Sequence, residues 1–373
     1  MLSSLLSPAR VAGEPSNEDQ QSTNCREARP MINFSTIRDV PLVELSNQAQ
    51  SIGHTPLRPI RMLINEKVRT VYLKLECENP TGSIKDRTAY GLIQDLEDKH
   101  LLTASSKVIE STSGNLGVAL ALICKAKGYS FTAVIDPKNT RENIAKMEAL
   151  DARIDLVQSP DKNGGYLLSR LARVQELLAQ NQGYVWTNQY ANAANPNVHY
   201  LSTGPEIYQQ MNRKVDILFA PVSTGGTLAG ISRYLREVNP SVTIVGVDAH
   251  GSVVFGTTPA TRRLTGIGSS RRSDFITRDL YDYALHVKDE EAFAFCHALS
   301  MRTGLKLGGS SGCTLFACAQ FLADHPEMNH IVCVCADGGE NYKTTIFDQT
   351  WIQQLSVNYF EQQLQRALDI ILE

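Results

Sequence analysis

No stretch of this 373-residue chain reaches the roughly 18 consecutive apolar residues that a membrane-spanning helix needs. Net charge is almost absent as well: the formal value of −3 gives no reason to expect nucleic acid or an anionic membrane surface as a partner. The eight cysteines contain no CxxC pair and the eight histidines no HExxH, so no metal site is expected. Most cysteines sit in apolar runs such as "IVCVCAD" and are expected to be free, buried thiols of a cytoplasmic protein. There is no internal repeat and no long Pro/Ser linker. Residues 1–32 are poor in large apolar side chains after Leu6 and read as a disordered extension, with Met31 an alternative start. "LSSLL" is too short, and lacks the basic lead, for a secretory signal, and the acidic residues argue against a mitochondrial one.

What is present from Asn33 onward is alternation. "VYLKLE" leads to a helix at 85–98, "KVIEST" to one at 115–127, and "SFTAVID" to one at 140–150. "RIDLVQ" precedes a helix at 164–180 and "DILFAPV" one at 227–237, before the runs "VTIVGVDA", "YALHV" and "HIVCVCA". Strands alternating with helices in this way predict an α/β fold, with mostly parallel sheets covered on both faces. Chemistry then belongs at the carboxyl ends of strands, where helices begin.

Three such junctions stand out. In "ENPTGSIKDRTAY" a lysine, Lys85, opens a helix, although acidic residues suit that electropositive end better. Taken alone it reads as a solvated lysine. In "ESTSGNLGVAL" the residues Ser111, Thr112, Ser113, Gly114 and Asn115 gather hydroxyls, an amide and backbone N–H groups at a helix start. That group is either a cradle for a carboxylate or a plain N-cap cluster. In "APVSTGGTLAGI" Ser223, Thr224, Gly225, Gly226 and Thr227 form a glycine turn that suits a phosphate but is neither a Walker loop nor GxGxxG.

Together the three fit one cofactor. A desolvated lysine near a positive helix end has a lowered pKa and serves as a nucleophile toward a carbonyl. Pyridoxal 5'-phosphate carries an aldehyde for Lys85 and a phosphate for the glycine turn, and an amino-acid substrate brings the carboxylate.

"NPTGSIKDR", "TSGNLG", "STGGT" and "NQYANAANP" occur in the order seen in fold-type II pyridoxal-phosphate enzymes, the cysteine synthase group, which this chain resembles from about Ile52 to about Tyr342. The resemblance implies a tryptophan-synthase-β-like fold of two three-layer α/β/α domains. Residues 33–80 and 191–355 would form the larger, cofactor-binding domain, 81–190 a smaller mobile domain, and 356–373 a C-terminal helix. It also implies a homodimer. Lys85 would carry the cofactor and act as the catalytic residue, Asn115 would hold the ring hydroxyl, and Thr224, Gly225, Gly226 and Thr227, with Ser223, would hold the phosphate. The substrate carboxylate would fall to Ser111, Thr112, Ser113 and Gln189.

Within that group "GGYLLSRLARVQELLA", "NQYAN", "VDAHGSVVFG" and "GIGSSR" are similar to the N-(2-amino-2-carboxyethyl)-L-glutamate synthases of staphyloferrin B biosynthesis. The likeness implies replacement of the phosphate of O-phospho-L-serine by the amine of L-glutamate, on a route to 2,3-diaminopropionate, with Arg170, Tyr190 and Ser223 selecting the substrate. An arginine fork suits a phosphate better than an uncharged acetyl ester. One departure is clear: "ADGGENY" lacks the hydroxyl that relatives set against the pyridine nitrogen, which leaves Ser310 of "GGSSG" or Asp337 for that position. Cysteine synthesis from sulfide, serine or threonine dehydration, and a noncatalytic binding role are the competing readings.

Overall fold

The computed structural model describes residues 32–34, 37, 41–161, 165–181 and 183–373. All of the expected N-terminal extension except Ile32 lies outside them. The strands are β1 (Leu57–Ile64), β2 (Lys67–Leu75), β3 (Lys107–Ser111), β4 (Ser130–Ile135), β5 (Arg153–Leu156), β6 (Tyr184–Trp186), β7 (Ile217–Pro221), β8 (Thr243–Ala249), β9 (Tyr283–Val287) and β10 (Ile331–Cys335). The helices are α1 (Leu42–Gln50), α2 (Lys85–Asp98), α3 (Asn115–Lys127), α4 (Arg141–Ala149), α5 (Leu167–Gln180), α6 (Ala194–Val198), α7 (Gly204–Gln210), α8 (Gly226–Val238), α9 (Asp289–Thr303), α10 (Gly309–Asp324), α11 (Gln349–Ile352) and α12 (Val357–Ile370).

Two sheets result. A six-stranded sheet has the order β1-β2-β10-β7-β8-β9, parallel except for the β1–β2 hairpin, and a four-stranded sheet has the order β5-β4-β3-β6, parallel throughout. This is the α/β, fold-type II architecture expected. Alternation along β10 shows why both faces are covered. Ile331, Cys333 and Cys335 pack into a core shared with Phe293 and Leu299 of α9 and Leu315 of α10, while Val332 and Val334 pack with Leu228 and Ile231 of α8. A strand buried on both sides must be apolar at every position, as this one is.

The smaller sheet repeats the plan. Val108 and Ala133 face α2 and α3, and Ile109 and Val134 face Val174 and Leu177 of α5. One boundary needs correcting. Residues 33–80 are expected whole in the larger domain, but Ile37, which precedes α1, and Leu45 of α1 pack into the smaller sheet's core with Ala119 and Ile123 of α3. The chain joins the six-stranded sheet only at β1, because the apolar side chains before it match the open flank of α3. The seven described cysteines are free, and all but Cys77 are buried. Among the described residues no helix is long and apolar enough to cross a membrane.

Candidate active site

The carboxyl ends of the two sheets face each other across a cleft, and Lys85 opens α2 at its wall. The approach to Lys85 is fastened to the last strand of the large sheet. Ile84 N donates to Ala336 O at 2.8 Å, Gly338 N donates to Gly82 O at 3.2 Å, and Ser83 bridges to Asp337. Arg87, two residues after Lys85, is buried and donates to Glu76 Oε2 and Glu206 Oε1, each at 2.7 Å, while Lys74 Nζ donates to Glu206 Oε2 at 2.8 Å. Buried charges of this kind survive only as a fully paired set, and this set locks the first turn of α2 to β2 and α7. Burial lowers the Lys85 amine to about 8, against a smaller upward pull from Asp337. At pH 7 about a tenth of it is then neutral, far more than for a solvated lysine.

The second junction closes on itself. Gly114 stands at a φ of 142°, a conformation for glycine, and a Cβ there would lie 2.5 Å from Asn143 Nδ2. Thr112 Oγ1 accepts from Gly114 N at 3.1 Å and Gly117 N at 3.0 Å, capping α3. Gln189 Nε2 donates to Ser111 O at 2.8 Å. Beneath them lies Glu110, whose buried carboxylate accepts from Thr187 Oγ1 at 2.6 Å, Ser111 N at 2.8 Å, Gln189 N at 3.0 Å and Trp186 Nε1 at 3.2 Å. Burial raises its pKa. It ties the ends of β3 and β6 together and so fixes Gln189.

The glycine turn is left open. Gly225 has a φ of 94°, and no side chain among the described residues caps α8. A Cβ on Gly225 would meet Ser273 Oγ at 2.2 Å, and one on Gly226 would meet Asn195 Oδ1 at 2.1 Å. Asn195 Nδ2 in turn donates to Thr224 Oγ1 at 3.1 Å. His199 Nε2 lies 3.4 Å from Thr227 Oγ1 and 3.3 Å from Thr88 Oγ1, so this turn sits against the same helix that carries Lys85. An uncapped helix start in a bare-backbone cradle fits a phosphate.

Asp337 joins the parts. Its Oδ2 accepts from Tyr342 OH at 2.6 Å and Asn115 Nδ2 at 2.7 Å, and Asn115 Oδ1 accepts from Asn341 Nδ2 at 3.0 Å. Its Oδ1 is buried with no partner among the described residues. Burial raises the carboxyl's pKa, against hydrogen bonds from Tyr342 and Asn115.

Of the residues expected from sequence, Lys85, Thr112, Ser113, Asn115, Gln189, Tyr190, Ser223 and Ser310 line the cleft together, and so does Asp337. Ser111, Arg170 and the run Thr224 to Thr227 stand outside that wall. Arg170 is buried with its Nε 3.2 Å from Asp136 Oδ2, yet Nε and Nη1 have no hydrogen-bond partner among the described residues. Sequence reasoning missed Lys138, Thr140, Asn143 and Thr265 on the wall, and Glu110, Asn195 and Asn341 behind it. The first three lie at the junction of β4 with α4, the same kind of strand-to-helix corner as the others, and that position was the signal. Lys85, the glycine cradle and the orphaned Asp337 oxygen fit pyridoxal 5'-phosphate in their chemistry.

A family model described as "Pyridoxal-phosphate dependent enzyme" matches residues 48–337. Among solved structures, a hydrogen sulfide-producing enzyme from Fusobacterium nucleatum is 30% identical, with 79% of this chain and 98% of that one covered at a TM-score of 0.75. An O-acetylserine dependent cystathionine beta-synthase from Helicobacter pylori is 28% identical over 80% of this chain and 97% of that one, at 0.73. O-acetyl serine sulfhydrylase isoform 3 from Entamoeba histolytica is 28% identical over 86% of this chain and 96% of that one, at 0.76.

Proposed function

The chain belongs to the pyridoxal-phosphate dependent enzyme family, and from that premise we propose that it replaces the phosphate of O-phospho-L-serine with the amine of L-glutamate. The products are N-(2-amino-2-carboxyethyl)-L-glutamate and phosphate, on a route to 2,3-diaminopropionate. The Cβ–O bond to phosphate breaks, a Cβ–N bond forms, and the amine's proton leaves on the phosphate. Pyridoxal 5'-phosphate, when bound, supplies an electron sink beside the substrate Cα. Lys85 Nζ would hold the cofactor's aldehyde and, when free, would take the substrate Cα proton as general base, a role its lowered pKa supports. Thr224, Gly225, Gly226 and Thr227 would hold the cofactor phosphate, Asn115 the ring hydroxyl, and Ser310 or Asp337 the ring nitrogen. Thr112 and Ser113 bind the substrate carboxylate, which competes with the Ser111 carbonyl for Gln189 Nε2.

The observation that carries the choice of leaving group is Arg170. A buried guanidinium whose Nη1 has no partner among the described residues, whose Nε has only the Asp136 carboxylate at 3.2 Å, and whose charge reaches Tyr190 suits a doubly charged phosphate and gains nothing from an acetyl ester. A second reading has its own support: two of the similar structures are named for O-acetylserine, one of them a sulfhydrylase. Mass spectrometry of products from phosphoserine or O-acetylserine, each with glutamate or sulfide, decides between them. The glutamate adduct from phosphoserine is expected, and cysteine from both donors with no adduct would overturn the proposal. Assembly as a homodimer belongs to the same reading and is checked by light scattering.

A further inference from the structure

Five titratable side chains line the cleft: Lys85, Lys138, Tyr190, Asp337 and Tyr342. Asp337 is already engaged, by Tyr342 and Asn115 through hydrogen bonds and by Lys85 through charge. That leaves Lys138 as the uncommitted charge. It is exposed on the rim, in the loop between β4 and α4, with Nζ 5.9 Å from the centroid of the Tyr166 ring. It makes no ion pair among the described residues. The nearest acid in sequence, Asp136, spends one oxygen on the Lys138 backbone N–H at 2.8 Å and lies beside Arg170 with the other. Thr140, which caps α4 through Asn143 N at 3.2 Å, stands beside it on the same wall.

Hydrosulfide, a small ion with no second group to anchor, gains only a weak, solvent-screened pull from such a cation. A nucleophile that carries a carboxylate gains more, because the carboxylate forms a charge-assisted pair at the mouth while the amine reaches inward. We infer that Lys138 is a specificity-determining residue for the second substrate, pairing with a carboxylate of an incoming amino acid. This rests on the β-replacement reading and adds to it the class of the nucleophile and the residue that selects it. Arg170 answers the leaving group of the first substrate, and Lys138 answers the acceptor.

The test compares holoenzymes of wild type, Lys138→Gln, Lys138→Glu and Lys138→Arg, reading phosphate release and product mass. Acceptors are L-glutamate, other amino acids, butylamine and sulfide. Lys138→Gln is expected to raise the KM for glutamate about 10-fold, with kcat and the KM for phosphoserine within about 2-fold, and Lys138→Glu to raise it further. Lys138→Arg restores most of the affinity, and the KM for butylamine or sulfide does not respond. An unchanged glutamate KM in Lys138→Gln overturns the inference, as does a wild type that accepts sulfide alone. If a different carboxylate-bearing amine is the acceptor and its KM depends on Lys138, the inference stands and the choice of glutamate fails.

Discussion

The junctions at Ser111–Asn115 and Ser223–Thr227 share one plan, a parallel strand running through hydroxyls and glycine into a helix, yet they are finished differently. In the first, Thr112 satisfies the Gly114 and Gly117 amides and Gln189 satisfies the Ser111 carbonyl, so much of the loop's bonding is met from within, although the buried Ser111 hydroxyl has no partner among the described residues. In the second, no side chain among the described residues caps α8, and Asn195 and Ser273 press on the backbone so closely that only glycine fits. On the proposed reading, in which the glycine turn takes the cofactor phosphate and the first loop the substrate carboxylate, the difference follows from residence time. A phosphate that stays with the enzyme supplies the missing hydrogen bonds itself, whereas a carboxylate that comes and goes needs a loop that does not pay for its absence.

Removing what both loops serve has the largest effect. Lys85→Ala is expected to cut turnover of phosphoserine by about 1000-fold or more, and borohydride should no longer fix the cofactor to the chain. Undiminished turnover would remove the basis of the proposed mechanism. The comparison itself is tested by paired alanines. Gly226→Ala forces Asn195 off Thr224, so cofactor affinity in equilibrium dialysis should fall about 10-fold or more, with a stability loss of about 1–3 kcal/mol. Gly114→Ala strains the backbone by a similar amount but should raise the KM for phosphoserine and leave cofactor affinity nearly unchanged. Equal loss of cofactor in both variants would mean that the two loops do not divide the work.

Much of this was legible in the sequence. Helices expected at 85–98 and 115–127 are found at Lys85–Asp98 and Asn115–Lys127. The second is stopped by Gly128, whose φ of 78° lets the chain turn out of the helix. Asp337 drew notice because a hydroxyl was missing from "ADGGENY", and it lines the cleft. Strand β1 was overlooked, because its exposed edge carries charged residues and Pro59 where an inner strand would be apolar. The set of Lys74, Glu76, Arg87 and Glu206 could not be read, since charged residues far apart in the chain look like solvated surface until the fold brings them together. Glu110 was missed for the same reason.

The fastened helix start sets a pH effect of intermediate size. Lys85 in the folded chain releases its proton near pH 8, against an ordinary value of 10.5 when unfolded. Between those values the unfolded state binds more protons, so this group's contribution to stability rises with pH. Its burial therefore costs most below pH 8, up to about 3 kcal/mol, and the cost fades toward pH 10.5. Urea unfolding of the cofactor-free protein should show Lys85→Met more stable than wild type at pH 7, with the gap narrowing at pH 9.5. A gap independent of pH would assign the cost to packing rather than to charge.

The smallest effect probes the self-closed loop directly. Thr112→Val keeps the shape of the side chain and deletes the oxygen that accepts from Gly114 and Gly117, so α3 loses its cap at a cost of about 1 kcal/mol. Thr112→Ser keeps the oxygen and should recover most of that loss. In the valine variant Gly117 N keeps the Gly114 carbonyl at 2.8 Å, but the Gly114 amide loses its acceptor when the site is empty and can turn to a carboxylate when it is filled. A saturating amino-acid ligand should then raise the melting temperature of Thr112→Val by more than it raises that of wild type. Equal ligand-induced shifts in the two proteins would show that the loop does not trade its internal hydrogen bonds for substrate, and the contrast with the open glycine turn would be one of packing alone.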